Sequence, residues 1–261
     1  FVGRIEAKDL SYDYADGFTA LHNLTFCIED GEFVCVVGHS GCGKTTLLRL
    51  ISGLSPITSG ELTLNGKLIE GPGLDRAVVF QQYSLFPWKT AIKNVEYGIR
   101  QAHPELSKSE ARQIAALALK NVGMGHAADL YPYQLSGGMK QRVAIARALA
   151  LDSDILLLDE PFGALDQHRR SQLQEMLLEL WDSGEHRKTV VFVTHDIDEA
   201  ILLADRIFFM RPGEITKVID VDLPRNRDAA SLAENPRFGE LRRELLELFS
   251  LDADQEDAHE A

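Results

Sequence analysis

Cysteine is scarce in this chain of 261 residues: there are three, Cys27, Cys35 and Cys42. They form no Cys-x-x-Cys pair and have no zinc-type histidines around them, so a disulfide framework and a zinc finger are excluded and reduced thiols are expected. Also missing is any uninterrupted apolar run long enough to cross a bilayer, and the first residues show no basic segment followed by an apolar core. Neither a membrane span nor a signal peptide is read here, and a cytosolic protein is expected. Positive charge is in deficit, 27 Lys and Arg against 40 Asp and Glu, for a net −13. That sign repels a polyanion, which excludes nucleic acid as the main partner and means that any phosphate must be bound by a local device. Part of the acidic excess sits in the last residues, "LDADQEDAHEA", which lack apolar periodicity and are expected to form a frayed, solvated end. Internal repeats and low-complexity tracts are absent.

What is present is ordinary in amount and specific in order. A composition 45% hydrophobic and 26% charged suits a soluble globular chain of one large domain, or one domain with an inserted lobe. The short runs "FVCVV" (33–37), "ILLL" (155–158), "TVVFVT" (189–194) and "RIFFM" (206–210) read as strands buried on both faces. Helical stretches alternate with them, which predicts an α/β core with a mostly parallel sheet. The earlier segments "GRIEAKDLSYDY" and "LHNLTFCIEDGE" alternate apolar and polar residues and predict an antiparallel part with one exposed face. Between Phe86 and Gln134 the pattern turns mainly helical, with Ser107 and Glu110 spaced as a capping box, so a helical lobe is inserted into the core.

The segment "GHSGCGKT" (38–45) follows the strand "FVCVV" directly and opens the helical "TLLRLISGL". This is a phosphate loop: Gly38, Gly41 and Gly43 let backbone amides turn inward, Lys44 reaches the β- and γ-phosphates, and Thr45 ligates Mg²⁺. His39, Ser40, Cys42 and Thr46 complete the nucleotide-binding set. The converging amides and Lys44 are expected to favour the Cys42 thiolate. "ILLLDE" places two acids after a buried strand; Asp159 holds Mg²⁺ and Glu160 polarises the attacking water. His195, after the strand "TVVFV", is a structural strand-end histidine if taken alone, and beside a nucleotide its imidazole bonds the γ-phosphate or the water. Gln81 follows "AVVF" and offers its amide to Mg²⁺ or water, with Gln82 as a competitor for that role. A second anion-binding turn, "LSGGMKQR" (135–142), opens another helix. Nothing within the chain itself explains why two are needed.

Taken together, "GHSGCGKTT", Gln81, "LSGGMKQR", "ILLLDEP", "GALD" and "THD" occur in the order and approximate spacing of the ATP-binding subunits of ABC transporters, which residues 4–225 resemble. The resemblance implies a P-loop ATPase core with a mostly parallel sheet, an antiparallel β subdomain and an inserted helical signature subdomain. It places an ATPase domain at residues 1–225, with the helical subdomain at about 86–150, then a C-terminal helix and acidic tail at 226–261, where "FGELRRELLELF" reads as one amphipathic helix. Two such subunits sandwich two ATP molecules head to tail. Ser136, Gly137 and Gly138 of one, followed in register by Gln141 and Arg142, cap the γ-phosphate held by the P-loop of the other, which gives the second turn its purpose. Tyr14 takes the place of the adenine-stacking aromatic, with Tyr12 on the same face as a competitor, and Asp166 belongs to the loop that crosses between subunits.

A closer likeness, carried by "VVFQQYSLFPWKTAIKNVEYGI", "PFGALDQHRR" and "VTHDIDEAILLADRI", is to import subunits for nitrate, taurine and aliphatic sulfonates. It implies ATP and Mg²⁺ as ligands and a second copy or homologous ATPase subunit as partner. It also implies integral membrane permease subunits, an extracytoplasmic solute-binding protein acting indirectly, and a peripheral position on the cytoplasmic face of the inner membrane. Phe86 and Trp88 form part of the groove that receives a short helix of the permease, or else pack lobe against core. An exporter cassette or a non-transport ABC ATPase is the alternative. The segment from Gln81 to Trp88 disfavours the exporter, and the 92 positions between Lys44 and Ser136 leave no room for the long coiled coil of the chromosome-organising ATPases.

Overall fold

Strands rich in β-branched residues and helices with one apolar face build two compact units in the computed structural model, one from Phe1–Gly71 with Thr189–Ala261, the other from Pro72–Lys188. The structure describes residues 3–163, 165–182, 187–224, 227, 232 and 234–259.

The first unit carries the antiparallel strands β1 (Ile5–Asp13), β2 (Thr19–Ile28), β4 (Ser59–Leu64) and β5 (Lys67–Leu68), ordered β2-β1-β4-β5. The β1–β2 register shifts three times between Ala7 and Asp13. Asp9 sits there with φ 47°, and its carbonyl occupies the space that a Cβ at Gly60 would need. The same unit holds β3 (Phe33–Gly38), β8 (Thr189–Val193), β9 (Arg206–Arg211) and β10 (Glu214–Asp220). β3 runs parallel to both β8 and β9, and β10 closes on β9 antiparallel. Every residue of β3 and β8 is buried, as expected of strands covered on both faces. Phe33, Phe192, Phe208 and Phe209 are the largest side chains in this core, each stabilising the fold by about 1.5–3 kcal/mol through burial. Helix α1 (Lys44–Ile51) follows β3, and α6 (Ile197–Leu203) follows β8.

The second unit pairs β6 (Arg76–Val79) and β7 (Ile155–Asp159) in parallel and adds α2 (Ala91–Ala102), α3 (Lys108–Asn121), α4 (Gly137–Ala150) and α5 (Gln167–Asp182). Small residues line the helix contacts: Ala111 and Ala115 of α3 and Ala144 and Ala146 of α4 are buried, which allows close approach. The capping box at the start of α3 is formed. Glu110 N donates to Ser107 Oγ at 3.2 Å, and Ser107 N donates to Glu110 Oε2 at 2.9 Å. Hydrogen bonding to the Ser107 side chain and from the Ser107 backbone N–H favours the ionised carboxylate and lowers the Glu110 pKa. The unit is wider than the helical run of about 86–150, because β6, β7 and α5 belong to it as well.

One expectation is corrected. The acidic end continues the last helix, α7 (Pro236–His259), and does not fray. Residues 251–259 contain neither Pro nor Gly, and Leu, Ala, Gln and Glu among them are good helix formers, so nothing local stops the helix. The boundary at 225–226 lies outside the described residues.

Candidate nucleotide site

In the first unit, β3 ends at Gly38 and α1 begins at Lys44, so the intervening loop must reverse within five residues. Gly38, Gly41 and Gly43 all have positive φ (154°, 85° and 109°). At Gly38 a Cβ would run into the Met210 carbonyl of β9; at Gly43 it would lie 2.7 Å from Leu21 Cδ2 and 3.0 Å from the Ala20 carbonyl. Only glycine closes this loop. Lys44 is 7% exposed, and its Nζ donates to the carbonyls of Gly38 (2.8 Å) and His39 (2.7 Å). A buried ammonium is thus held by neutral acceptors in the mouth of an amide-lined loop, a position from which it can transfer to phosphate oxygens. Ser40, Gly41 and Thr45 form the exposed rim.

The flanking residues are equally specific. Tyr14 Oη lies 2.8 Å from Thr46 Oγ1, which fixes the Tyr14 ring against α1. That ring is 42% exposed, edge-on to Tyr12 and roughly parallel to Phe18. The arrangement gives Tyr14 the free aromatic surface and makes Tyr12 its support. Phe18, 62% exposed, was not singled out by sequence, although an apolar ring in a strand-connecting loop was its signal. His39 Nε2 lies 3.1 Å from the Phe249 carbonyl, which can only accept, so that nitrogen carries the proton. The two rings meet edge to face at 5.0 Å. Phe249 had no sequence signal of its own, because the contact spans 210 positions. His195 is exposed just after β8, on a turn held by Thr194 Oγ1 to Glu199 Oε2 (2.6 Å) and by the Asp196 cap on Glu199 N (3.1 Å).

Cys42 departs from expectation. Its thiol pKa is raised, because desolvation of a side chain only 2% exposed outweighs the charge and hydrogen bonds of Lys44, whose Nζ is 3.7 Å from the sulfur. The resting form is the neutral thiol.

In the second unit, β7 delivers Asp159 at its end, 3% exposed. Glu160 follows with φ 46°, a left-handed conformation that costs a non-glycine residue about 1–3 kcal/mol. Gln81 Nε2 donates to Glu160 Oε2 at 3.3 Å. The backbone carbonyl of the neighbouring Gln82 accepts from Ser84 Oγ at 2.8 Å.

The signature turn is built as a helix start. Ser136 is the N-cap of α4, accepting from Met139 N at 3.3 Å, and the first N–H groups of such a helix have no acceptor within it. A Cβ at Gly137 would come within 2.8 Å of Tyr83 Oη, so a side chain there would displace the tip of that tyrosine. Arg147 of the same helix donates to the Ser84 carbonyl at 2.8 Å. Tyr83 and Ser84 therefore tie the Gln81 segment to the signature helix, a link that sequence reading missed. Gln141 is 2% exposed, and both its amide atoms lack a hydrogen-bond partner among the described residues. Asp166 caps α5, accepting from Arg169 N at 3.1 Å, and is exposed; Ala164 of "GALD" lies outside the described residues.

Phe86 and Trp88 stand at the entry to α2. The Asn94 side chain holds the Phe86 backbone, accepting from its N–H (2.8 Å) and donating to its carbonyl (3.2 Å). Trp88 is 70% exposed and lies 5.6 Å from the Phe86 ring.

A glycine loop around a buried lysine, a strand-end acid pair and a helix-opening Ser-Gly-Gly turn define an ATP-binding cassette, and the chain belongs to the ABC transporter family, which matches residues 21–163. Among proteins, it is 49% identical over 233 residues to the nitrate import ATP-binding protein NrtD of Synechococcus elongatus, covering 88% of this chain and 84% of that one. It is 46% identical over 242 residues to the bicarbonate transport ATP-binding protein CmpD of Synechocystis sp., covering 91% and 85%. Among solved structures, the dimeric post-hydrolysis state of the ATP-binding cassette MJ0796 bound to ADP and Pi superposes with a TM-score of 0.78 at 35% identity, over 84% of this chain and 100% of that one. The protein is an ATP-hydrolysing subunit of this family.

The Cys42 environment makes a prediction. Iodoacetamide should modify Cys42 more slowly than an exposed thiol, and the rate should reach its plateau at a higher pH than that of a free thiol, which is half ionised at pH ~8.5. Fast, pH-independent labelling near neutrality, followed by peptide mapping, would contradict the neutral buried thiol.

Proposed function

We propose that two copies of this cassette, or one copy and a homologous subunit, close around two ATP molecules and drive import of a small oxyanion through membrane permease subunits. In this reading the loop from Gly38 to Thr46 holds the phosphates, and Tyr14 stacks on the adenine. Ser136, Gly137 and Gly138 of one subunit cap the γ-phosphate held by the other, with Gln141 beneath them and Asp166 in the crossing loop. Glu160 takes a proton from the attacking water, and His195 bonds the γ-phosphate. The observation that carries the assignment is the Gln81–Glu160 hydrogen bond with Glu160 turned into a left-handed conformation. A carboxylate oriented by an amide that donates to one of its oxygens is suited to receive a proton from an attacking water.

Among the described residues no group of three or more His, Cys, Asp and Glu side chains is placed to hold a metal ion. Thr45, Gln81 and the single carboxylate of Asp159 suit Mg²⁺, which takes few protein ligands and fills its shell with phosphate and water. Bound there, Mg²⁺ would neutralise phosphate charge. No helix among the described residues is long and apolar enough to cross a membrane. A peripheral subunit on the cytoplasmic face, docked through the segment of Phe86 and Trp88, accords with that. The solute-binding protein acts on the far side without touching this chain. The oxyanion assignment rests on the nitrate and bicarbonate named for its relatives and on the segment from Gln81 to Trp88, and includes nitrate, bicarbonate and sulfonates such as taurine.

Two measurements test this reading. Glu160→Gln should slow hydrolysis by about 10²-fold or more while ATP and Mg²⁺ trap a dimer visible by size-exclusion chromatography; normal turnover would remove Glu160 from its role. In the purified complex with its permease and binding protein, nitrate, bicarbonate or taurine should stimulate ATPase activity. Stimulation only by an uncharged sugar would refute the oxyanion class.

A further inference from the structure

The charge on this chain is not evenly spread. Along α2, Lys89, Lys93 and Arg100 recur at helical spacing just before and along one stripe, and Lys108 and Arg112 open α3 beside them. These five cations line a cavity of about 350 Å³ in which Glu96 is the sole carboxylate among the lining residues. Such a concentration stands out in a chain of net charge −13. Lys93, Arg100 and Lys108 have no ion-pair partner among the described residues. Arg112 has only a 3.9 Å approach to the exposed Asp129. Lys89 is held over the rings of Phe86 (5.8 Å) and Tyr97 (5.1 Å). Unpaired like charges within about one Debye length repel one another, and carboxylates arriving from outside would relieve that repulsion.

The cationic cavity is continuous with an aromatic ledge. Phe86 lies 4.9 Å from Tyr97 and 5.6 Å from Trp88, which is 70% exposed, while Tyr97 is 41% exposed. An aromatic anchor beside unneutralised cations is the surface that receives an amphipathic helix with one apolar and one acidic side.

Resting on the docking role proposed for Phe86 and Trp88, we infer that the permease segment seated here is acidic: a short helix whose carboxylates enter the cavity of Lys93, Arg100 and Lys108 while its apolar residues meet Trp88 and Tyr97. A single small anion fits less well. Apart from Glu96, no polar lining side chain is buried, so the cavity lacks the enclosure that holds a free small ligand. Charges presented on one continuous element need no such enclosure.

The test uses the full chain co-expressed with its permease subunits and isolated by a tag on the permease. The triple variant Lys93→Glu, Arg100→Glu, Lys108→Glu should reduce co-purified cassette by about tenfold or more, because like charges would then face each other across the interface. The corresponding triple Gln variant should lose less, wild-type assembly should weaken as salt rises, and ATP hydrolysis by the isolated variants should be unchanged. Wild-type assembly by the Glu variant would overturn the inference. Trp88→Ala in the same assay separates the two layers: if it weakens assembly while the Glu variant does not, docking stands and the acidic chemistry falls. If neither variant affects assembly, the docking role itself fails. A Glu variant that assembles normally but no longer sediments with phosphatidylglycerol vesicles would overturn the inference in favour of a lipid surface.

Discussion

The close passage of Gly38 over the Met210 carbonyl is the constraint on which the nucleotide loop depends. β3 pairs with β9 up to its last residue, Gly38 opposite Met210, and the chain then turns back over its neighbour's backbone with φ 154°. Any side chain at position 38 would push the loop off the sheet, and the carbonyls that now hold Lys44 Nζ would move with it. The loop's affinity for phosphate therefore follows from sheet register: the six buried residues of β3 fix the height at which the amides converge, and glycine permits the reversal there. Cys42 belongs to the same arrangement. Its burial keeps the thiol neutral, which leaves Lys44 as the loop's charged group.

A comparable economy governs the second unit, where one helix serves two segments. α4 begins with the Ser136 cap and Gly137 under Tyr83, and in its last turn Arg147 grips the Ser84 carbonyl. Gln81, three residues before Ser84, reaches the Glu160 carboxylate. A movement of the segment containing Phe86 and Trp88 would thus be felt both at Glu160 and at the signature turn, without a separate relay. Asn94 holds the Phe86 backbone through both its amide and carbonyl groups, which makes that segment a stiff lever with an exposed Trp88 at its tip.

Much of this was legible in the sequence because it is local. The buried strands announced themselves as continuous apolar runs, the capping box by the spacing of Ser107 and Glu110, and the phosphate loop by glycines between a strand and a helix. What escaped were contacts between residues far apart in the chain: Tyr83 over Gly137, Arg147 on Ser84, and Phe249 against His39. No periodicity encodes such pairs. Cys42 was misjudged for a related reason. Its neighbouring lysine is visible in sequence, whereas its burial is a property of the folded loop and determines the direction of the shift. The acidic tail was misjudged by weighting charge over the absence of any helix-breaking residue.

The central claim is that the signature turn of one subunit completes the phosphate site of another. The most direct measurement mixes a Ser136→Arg chain with a Lys44→Ala chain, each inactive alone, and follows ATPase activity as heterodimers form. The account predicts activity above either parent, since one of the two sites in the heterodimer keeps both an intact loop and an intact signature. Heterodimers demonstrated by differential tagging that hydrolyse no more ATP than the parents would contradict it.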